Sequence, residues 1–396
     1  MLCTPFQCAN TVKVKEFLSK HFLIISEVIA VVIAFAWPLP GSKLSHSTIS
    51  LCIVALIFLF TGLKLKTDEL KSVYKSVDVV LVCCVTSLCV TTLIPGYIVH
   101  QLPFDDKLKG PDDESFSFGP TELKLGIILF NCAPATIATG IIMVTGAEGD
   151  VVVAVAVSTI TNIAGCFVTP LLFSLFVDAD AMKQDSTKLL MKLGLSLLLP
   201  LFVGKVLAML FAPVRKLVKD HKKKIGFIQS TGICVILWIK LSTSVKKGTF
   251  ELIALTDILI LIGIIIACHC LILLLNFVVS VSFCFKREQL SVMLLLCSQK
   301  TLVLTAAIAT ALPEQIGDSA LILLPCFIAH PLQMLIDSFL IQPLKNSRHF
   351  PLCVPSFCAK CRAEELNTGD CENVGGVAVN PGVIYMDNVN HDKSTL

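Results

Sequence analysis

Residues 131–140 read NCAPATIATG, and they interrupt a hydrophobic run that is otherwise ready to cross a membrane. ELKLGIILF lies upstream and IIMVTG downstream. Pro134 removes a backbone donor and disfavours helix for the residue before it. Thr136, Thr139 and Gly140 follow within six residues. A break at that depth frees N–H and C=O groups where no water can reach them. Such backbone is tolerated only where it is buried in protein or lines a polar cavity. The stretch therefore reads as binding equipment, against the plainer reading of a proline that only kinks a helix.

Composition agrees with a membrane solvent. The 396 residues are 55% hydrophobic and 15% charged, with a mean hydropathy of +0.83. A soluble domain carries about 25% charged residues, so the composition indicates a polytopic membrane protein. The formal charge is only +3, and no basic stripe with interleaved aromatics supports nucleic-acid binding. Most of the 18 cysteines lie in apolar runs, where they act as small hydrophobes. No Asn-x-Ser/Thr sequon occurs. Neither HExxH nor a paired intramembrane aspartate motif appears, so no catalytic residue, metal ligand or cofactor is expected.

Apolar windows near twenty residues fall at 21–37, 46–63, 78–100, 121–145, 151–177, 187–211, 226–245, 254–283, 288–311 and 317–342, ten in all. Residues 1–20 form a polar segment before them, and WPLPGSK offers no convincing signal-cleavage site. Basic residues set the orientation. Lys13, Lys15, Lys20, Lys64, Lys66, Lys71, Lys75, six in RKLVKDHKKK (215–224), Lys286 and Arg287 fall on one side. Lys43, Lys107, Lys109, Lys183, Lys188, Lys246 and Lys247 fall on the other. Both termini are thus expected in the cytoplasm, with the acidic loop 105–114 external or luminal.

The ninth window carries its own polar interruption, Cys297–Ser298–Gln299–Lys300–Thr301. Windows four and nine are five apart, so 21–177 and 187–342 read as two copies of a five-span unit. An odd span number forces the copies into opposite orientations. Inverted repeats with a broken helix in each half describe a secondary transporter.

The pieces GLKLKTDEL (62–70), CAPA (132–135), FVTPLL (167–172), SQKTLVL (298–304) and AHPLQ (329–333) together resemble the sodium/bile acid cotransporter superfamily, most of all its bile-acid-cotransporter-like branch. The resemblance covers roughly residues 20–343. It implies ten helices in two inverted five-helix repeats, with a panel domain of spans 1, 2, 6 and 7. The core domain would hold spans 3–5 and 8–10, with broken helices 4 and 9 crossing inside it. It also implies a sodium site, which carries over with changes. A Ser-Asn pair expected after the fourth-helix break falls on Thr139 and Gly140. Two fifth-helix ligands fall on Ser158 and Asn162, and the ninth-helix carboxylate falls on Ser298, with Lys300 two residues on.

A mid-membrane lysine costs about 2.5–3.5 kcal/mol on insertion scales and marks a functional position by default. Either Lys300 stands in for sodium as a fixed cation, or it takes up and releases a proton during transport. The plainer alternative is a lysine paired with a backbone carbonyl. Pro134, Thr136, Thr139, Ser158, Asn162, Ser298, Gln299, Lys300 and Thr301 therefore form the expected solute or ion site, joined by His330 and Gln333 of the tenth span. Asp337, near that span's end, reads as solvated. Asn276, Thr86, Thr91 and Thr92 read as ordinary interhelical hydrogen-bonding residues.

RKLVKDHKKK reads equally well as a basic loop suited to anionic membrane lipid and as charges that only fix topology. Residues 343–396 form a polar tail expected to be disordered, with Cys353, Cys358, Cys361 and Cys371 open to lipidation ahead of zinc binding, whose standard spacings they do not match. Its end, Ser394–Thr395–Leu396, has the form that sheet-edge peptide-binding domains accept. The expected function is transport of a small organic anion, with sodium coupling in doubt. The branch resemblance implies a link to calcium homeostasis and secretory-pathway glycosylation, at the plasma membrane or in endoplasmic reticulum and Golgi. The alternative is a non-transporting membrane regulator of calcium entry.

Overall fold

Each apolar window is occupied by helix in the computed structural model, which describes residues 22–45, 47–64, 76–104, 117–137, 139–177, 186–312 and 316–346. The chain runs α1 (Phe22–Ala36), α2 (Pro38–Lys43), α3 (Ser47–Lys64), α4 (Val77–His100), α5 (Thr121–Cys132), α6 (Thr139–Gly146) and α7 (Val151–Ser174). It continues through α8 (Ser186–Leu210), α9 (Ala212–Asp220), α10 (Lys222–Lys246), α11 (Leu255–Ser282), α12 (Arg287–Leu295), α13 (Leu302–Ala311) and α14 (Ser319–Asn346). The fold is all-helical among the described residues. Five helices, α4, α7, α10, α11 and α14, are long and apolar enough to cross a membrane, and six are if the bent pair α8–α9 counts as one. The acidic loop 105–114 and the tail calls, including Ser394, Thr395 and Leu396, lie outside the described residues.

Windows four and nine each hold two short helices, α5 with α6 and α12 with α13. α5 stops at Cys132 because Ala133 turns extended ahead of Pro134 (φ −68°, ψ 149°). α12 ends at Leu295, and α13 starts only after Thr301, which is again extended (φ −82°, ψ 128°). α7 opens on Asp150, whose carboxylate accepts from Val152 N and Val153 N at 3.0 Å each. α4 contains a π-helical turn at Thr86–Val90 and then Pro95, so its regular ladder lapses near the middle.

One reading of the sequence needs correction. RKLVKDHKKK is not a loop, because residues 212–220 form α9 and Lys222 already opens α10. Pro213 suits a first helical turn. Val218 is buried while Arg215, Lys216 and Lys219 are exposed, so the segment is amphipathic, and it lies at 107° to the end of α8.

Packing gathers the helices into connected groups. α8 lies along α3, and α10 lies along α1, α2 and α3; α14 packs on α5, α11 and α13, and α7 on α4, α5, α6 and α8. The buried apolar side chains form two clusters. One includes Cys132 of α5 and Leu302 of α13; the other includes Ala135 and Cys297. The chain therefore passes between clusters at both breaks. α5 and α13 belong to the first cluster, α6 and α12 to the second. Large apolar side chains such as Leu81, Tyr97, Phe167, Leu274 and Phe339 face outward, as lipid contact permits.

The crossing of α3 and α8 depends on two glycines. A Cβ at Gly62 would strike the Leu201 carbonyl, and one at Gly204 would strike the Leu59 carbonyl. Small residues let backbones approach this closely. Gly62→Val or Gly204→Val should destabilise the fold by about 1–3 kcal/mol, read as a lower thermal midpoint in detergent. Gly226→Ala and Gly263→Ala, where an added Cβ meets nothing within 4 Å, should leave the midpoint in place.

Candidate functional site

The two breaks meet. Ala135 and Lys300 form an isolated antiparallel β-bridge, with Thr136 N donating to Gln299 O at 3.2 Å and Thr301 N to Pro134 O at 2.9 Å. Each broken segment thus supplies partners for the other's freed backbone. Side chains of neighbouring helices satisfy most of the remainder. Thr92 Oγ1 donates to Asn131 O at 3.0 Å, Thr169 Oγ1 to Cys132 O at 2.9 Å, Asn162 Nδ2 to Ala135 O at 2.7 Å and Ser158 Oγ to Thr136 O at 2.9 Å. On the other break, Lys300 N donates to Gln333 Oε1 at 2.9 Å while Gln333 Nε2 donates to Lys300 O at 2.8 Å. Gln333 pairs with the Lys300 peptide as a neighbouring strand would.

The Lys300 side chain leaves the crossing toward α4. Its Nζ donates to Ser87 O at 2.8 Å and to Thr91 Oγ1 at 3.0 Å, and the residue is 1% exposed. Ser87 lies in the π-helical turn, where the altered ladder leaves carbonyls available. The Thr91 hydroxyl lies 3.1 Å from Thr86 O and 3.0 Å from Ser87 O, so it can donate to a carbonyl and still accept from the ammonium. The cation is held by oxygens alone.

At the start of α6, Thr136 Oγ1 accepts from Gly140 N at 2.9 Å, capping one free donor of that half-helix. Gln299 Oε1 lies 3.3 Å from Thr136 Oγ1 and 3.0 Å from Thr139 Oγ1, and Gln299 Nε2 donates to Met143 Sδ at 2.8 Å. Ser298 Oγ donates back to Leu294 O and lies 3.4 Å from Asp337 Oδ2. Asp337 is not solvated: it is fully buried and takes His269 Nε2 on Oδ1 at 2.8 Å. Its place near the helix end misled, because α14 runs on to Asn346 with α11 packed beside it.

The expected residues therefore gather in two adjoining places. Pro134, Thr136, Thr139, Ser158, Asn162 and Gln299 surround the first break, and Asn162 lines a cavity of about 20 Å³ with Phe58, Thr61, Ile137, Leu201 and Val303. Ser298, Lys300 and Gln333 line a second cavity of about 20 Å³ with Asn131, His269 and Cys268. Either has room for one water. Thr301 completes the bridge through its N–H. His330 stands apart and faces Glu27 of α1. Ser87, one of the ammonium's two partners, and the buried Glu27 escaped the sequence reading, whereas Thr91 had been expected as an interhelical hydrogen-bonding residue. Glu27 had left a signal, a lone carboxylate within an apolar run.

Half-helices α6 and α13 both begin at the crossing. Helix N-termini carry partial positive charge, while the Lys300 amine is directed away from the crossing toward α4.

The SBF-like CPA transporter family matches residues 21–346. The probable sodium/metabolite cotransporter BASS4, chloroplastic, of Arabidopsis thaliana is 27% identical over 339 residues, covering 83% of this chain and 73% of that protein. Sodium/bile acid cotransporter 7 of Rattus norvegicus is 25% identical over 341 residues, covering 84% and 94%. Sodium/bile acid cotransporter 7-B of Xenopus laevis is 26% identical over 354 residues, covering 84% and 93%.

Replacing Gln333 by Met keeps the volume and orphans the Lys300 N–H and C=O. Each unpaired buried group costs about 1–3 kcal/mol, so Gln333→Met should lower the thermal midpoint in detergent clearly. Gln342→Met, on the exposed end of α14, should not.

Proposed function

Because this chain belongs to the SBF-like CPA transporter family, we propose that it is a ten-span secondary transporter that moves a small organic anion by alternating access and needs no sodium. Membership makes it a multi-pass membrane transporter and implies a transported solute. Beyond that, the reading takes 21–177 and 187–342 as inverted repeats with 343–396 as a cytoplasmic tail. Its support is the antiparallel bridge between the two breaks and the opposite sense in which they join the two apolar clusters. The grouping of α1, α3, α8 and α10 supports a panel beside a core.

One observation carries the coupling argument. Where the superfamily resemblance places a carboxylate and an Asn amide, this chain has Ser298 and Gly140, and Lys300 is bound to oxygens at 2.8 and 3.0 Å. A second cation at 4 Å would be repelled by about 4 kcal/mol at an effective dielectric near 20. The tethered ammonium takes the part of a co-transported ion, and an anionic solute is attracted by it and by the starts of α6 and α13.

Uptake of a panel of labelled organic anions into proteoliposomes should proceed equally well with sodium replaced by potassium, and should respond to a pH gradient. Lys300→Ala should abolish it, and Lys300→Arg should keep the charge but lose any proton cycle. Strict sodium dependence that survives Lys300→Ala would overturn the reading, and no uptake of any solute would favour a regulator of calcium entry instead. The basic-residue bias sets the orientation. A tag inserted beside Asp112 should react with an impermeant reagent from the external or luminal face. Reaction only after access to the cytoplasm would refute that topology.

A further inference from the structure

Glu27 and His330 take no part in the crossing. Glu27 lies in the second turn of α1, His330 near the middle of α14, and each is 4% exposed. His330 Nδ1 is 3.8 Å from Glu27 Oε1. Among the described residues, neither Glu27 oxygen nor His330 Nδ1 has a hydrogen-bond partner. An uncompensated buried carboxylate and an uncompensated imidazole nitrogen both carry a desolvation cost. Each is the natural partner of the other, through a proton between them.

Among the described residues, the surroundings offer no rival use for these atoms. α10 packs against both α1 and α14 and brings Cys234 to the Glu27 side, where its thiol donates to Ser26 Oγ at 3.2 Å. Lys240, further along α10, has interactions of its own. α5 contributes Cys132, and α11 contributes Cys268 and His269, the latter held by Asp337. α2, the other neighbour of α1, ends on Lys43. Arg287 and Glu288 of α12 sit at the far end of α14, around Leu344.

We propose that Glu27 and His330 together bind one proton, at the seam where the Glu27 turn of α1 faces His330 of α14. The proton bridges Oε1 and Nδ1 and closes the 3.8 Å gap to hydrogen-bond length. Its loss leaves a buried carboxylate charge on Glu27 that a neutral imidazole, donating one N–H, does not neutralise. His330 lies three residues before Gln333, so binding at the seam acts on the helix that clamps the Lys300 peptide. The site itself stands without the transport reading; its use as a coupling proton rests on that reading.

Infrared spectra of the full chain in lipid bilayers, titrated between about pH 5 and pH 8, test the site directly. A carboxylic-acid C=O band should grow as pH falls, vanish in Glu27→Gln and change frequency in Glu27→Asp, which also assigns the band if Glu27→Gln folds poorly. His330→Gln should move its midpoint by about one pH unit or more. The absence of any band assignable to Glu27, or a midpoint indifferent to His330→Gln, overturns the proposal. In proteoliposomes Glu27→Gln should flatten the pH profile of uptake. A titrating band with no uptake at all would fail the transport reading while leaving the proton site standing.

Discussion

The rest of the structure depends on the backbone groups freed at the two breaks being satisfied without water. A chain that interrupts two helices inside a membrane exposes donors and acceptors that cost several kcal/mol each if left alone. Here the breaks are set against one another, so Thr136 N and Thr301 N find carbonyls across the crossing. Threonine, serine, asparagine and glutamine from α4, α7 and α14 take up most of what is left. Asn162 and Gln333 do the same task for the two bridging residues, one on Ala135 and one on Lys300. The polar residues spread through apolar helices are therefore mainly a hydrogen-bonding frame for two short stretches of backbone.

Lys300 adds a charge to the frame and a cost of its own. The π-helical turn in α4 meets it by supplying a carbonyl, Ser87 O, that a regular helix would have spent on its own ladder. Thr91 adds the second oxygen. The irregularities in three helices, α4, α5–α6 and α12–α13, are thus one system.

Much of this was legible in the sequence. Helix positions follow from runs of apolar residues, and both breaks are marked, one by Pro134 and one by Ser298–Thr301 amid leucines. Asn162 was reached through the family resemblance, and Gln333 as a polar residue of the tenth span. Their partners were not, because those partners are carbonyls, which every residue has. The π turn leaves no trace in residue type, since TSLCV reads like any other stretch of α4. Asp337 was misjudged because distance from a helix end was taken for exposure, and neighbouring α11 decides that. RKLVKDHKKK was misjudged for the opposite reason: its charges drew attention away from the apolar spacing of Val214, Leu217 and Val218.

The bridge between the breaks also bears on how the molecule is made. Thr136 and Gln299 are 163 positions apart, and the first break leaves the ribosome long before the second exists. At 5–20 residues per second that wait is roughly 10–30 s. Throughout it, the first half of the protein carries Pro134 O and Thr136 N inside the membrane with no permanent partner. The unfinished half must borrow water, lipid headgroups or an insertion factor to hold those groups. Assembly of this chain is thus a problem of custody as well as of packing.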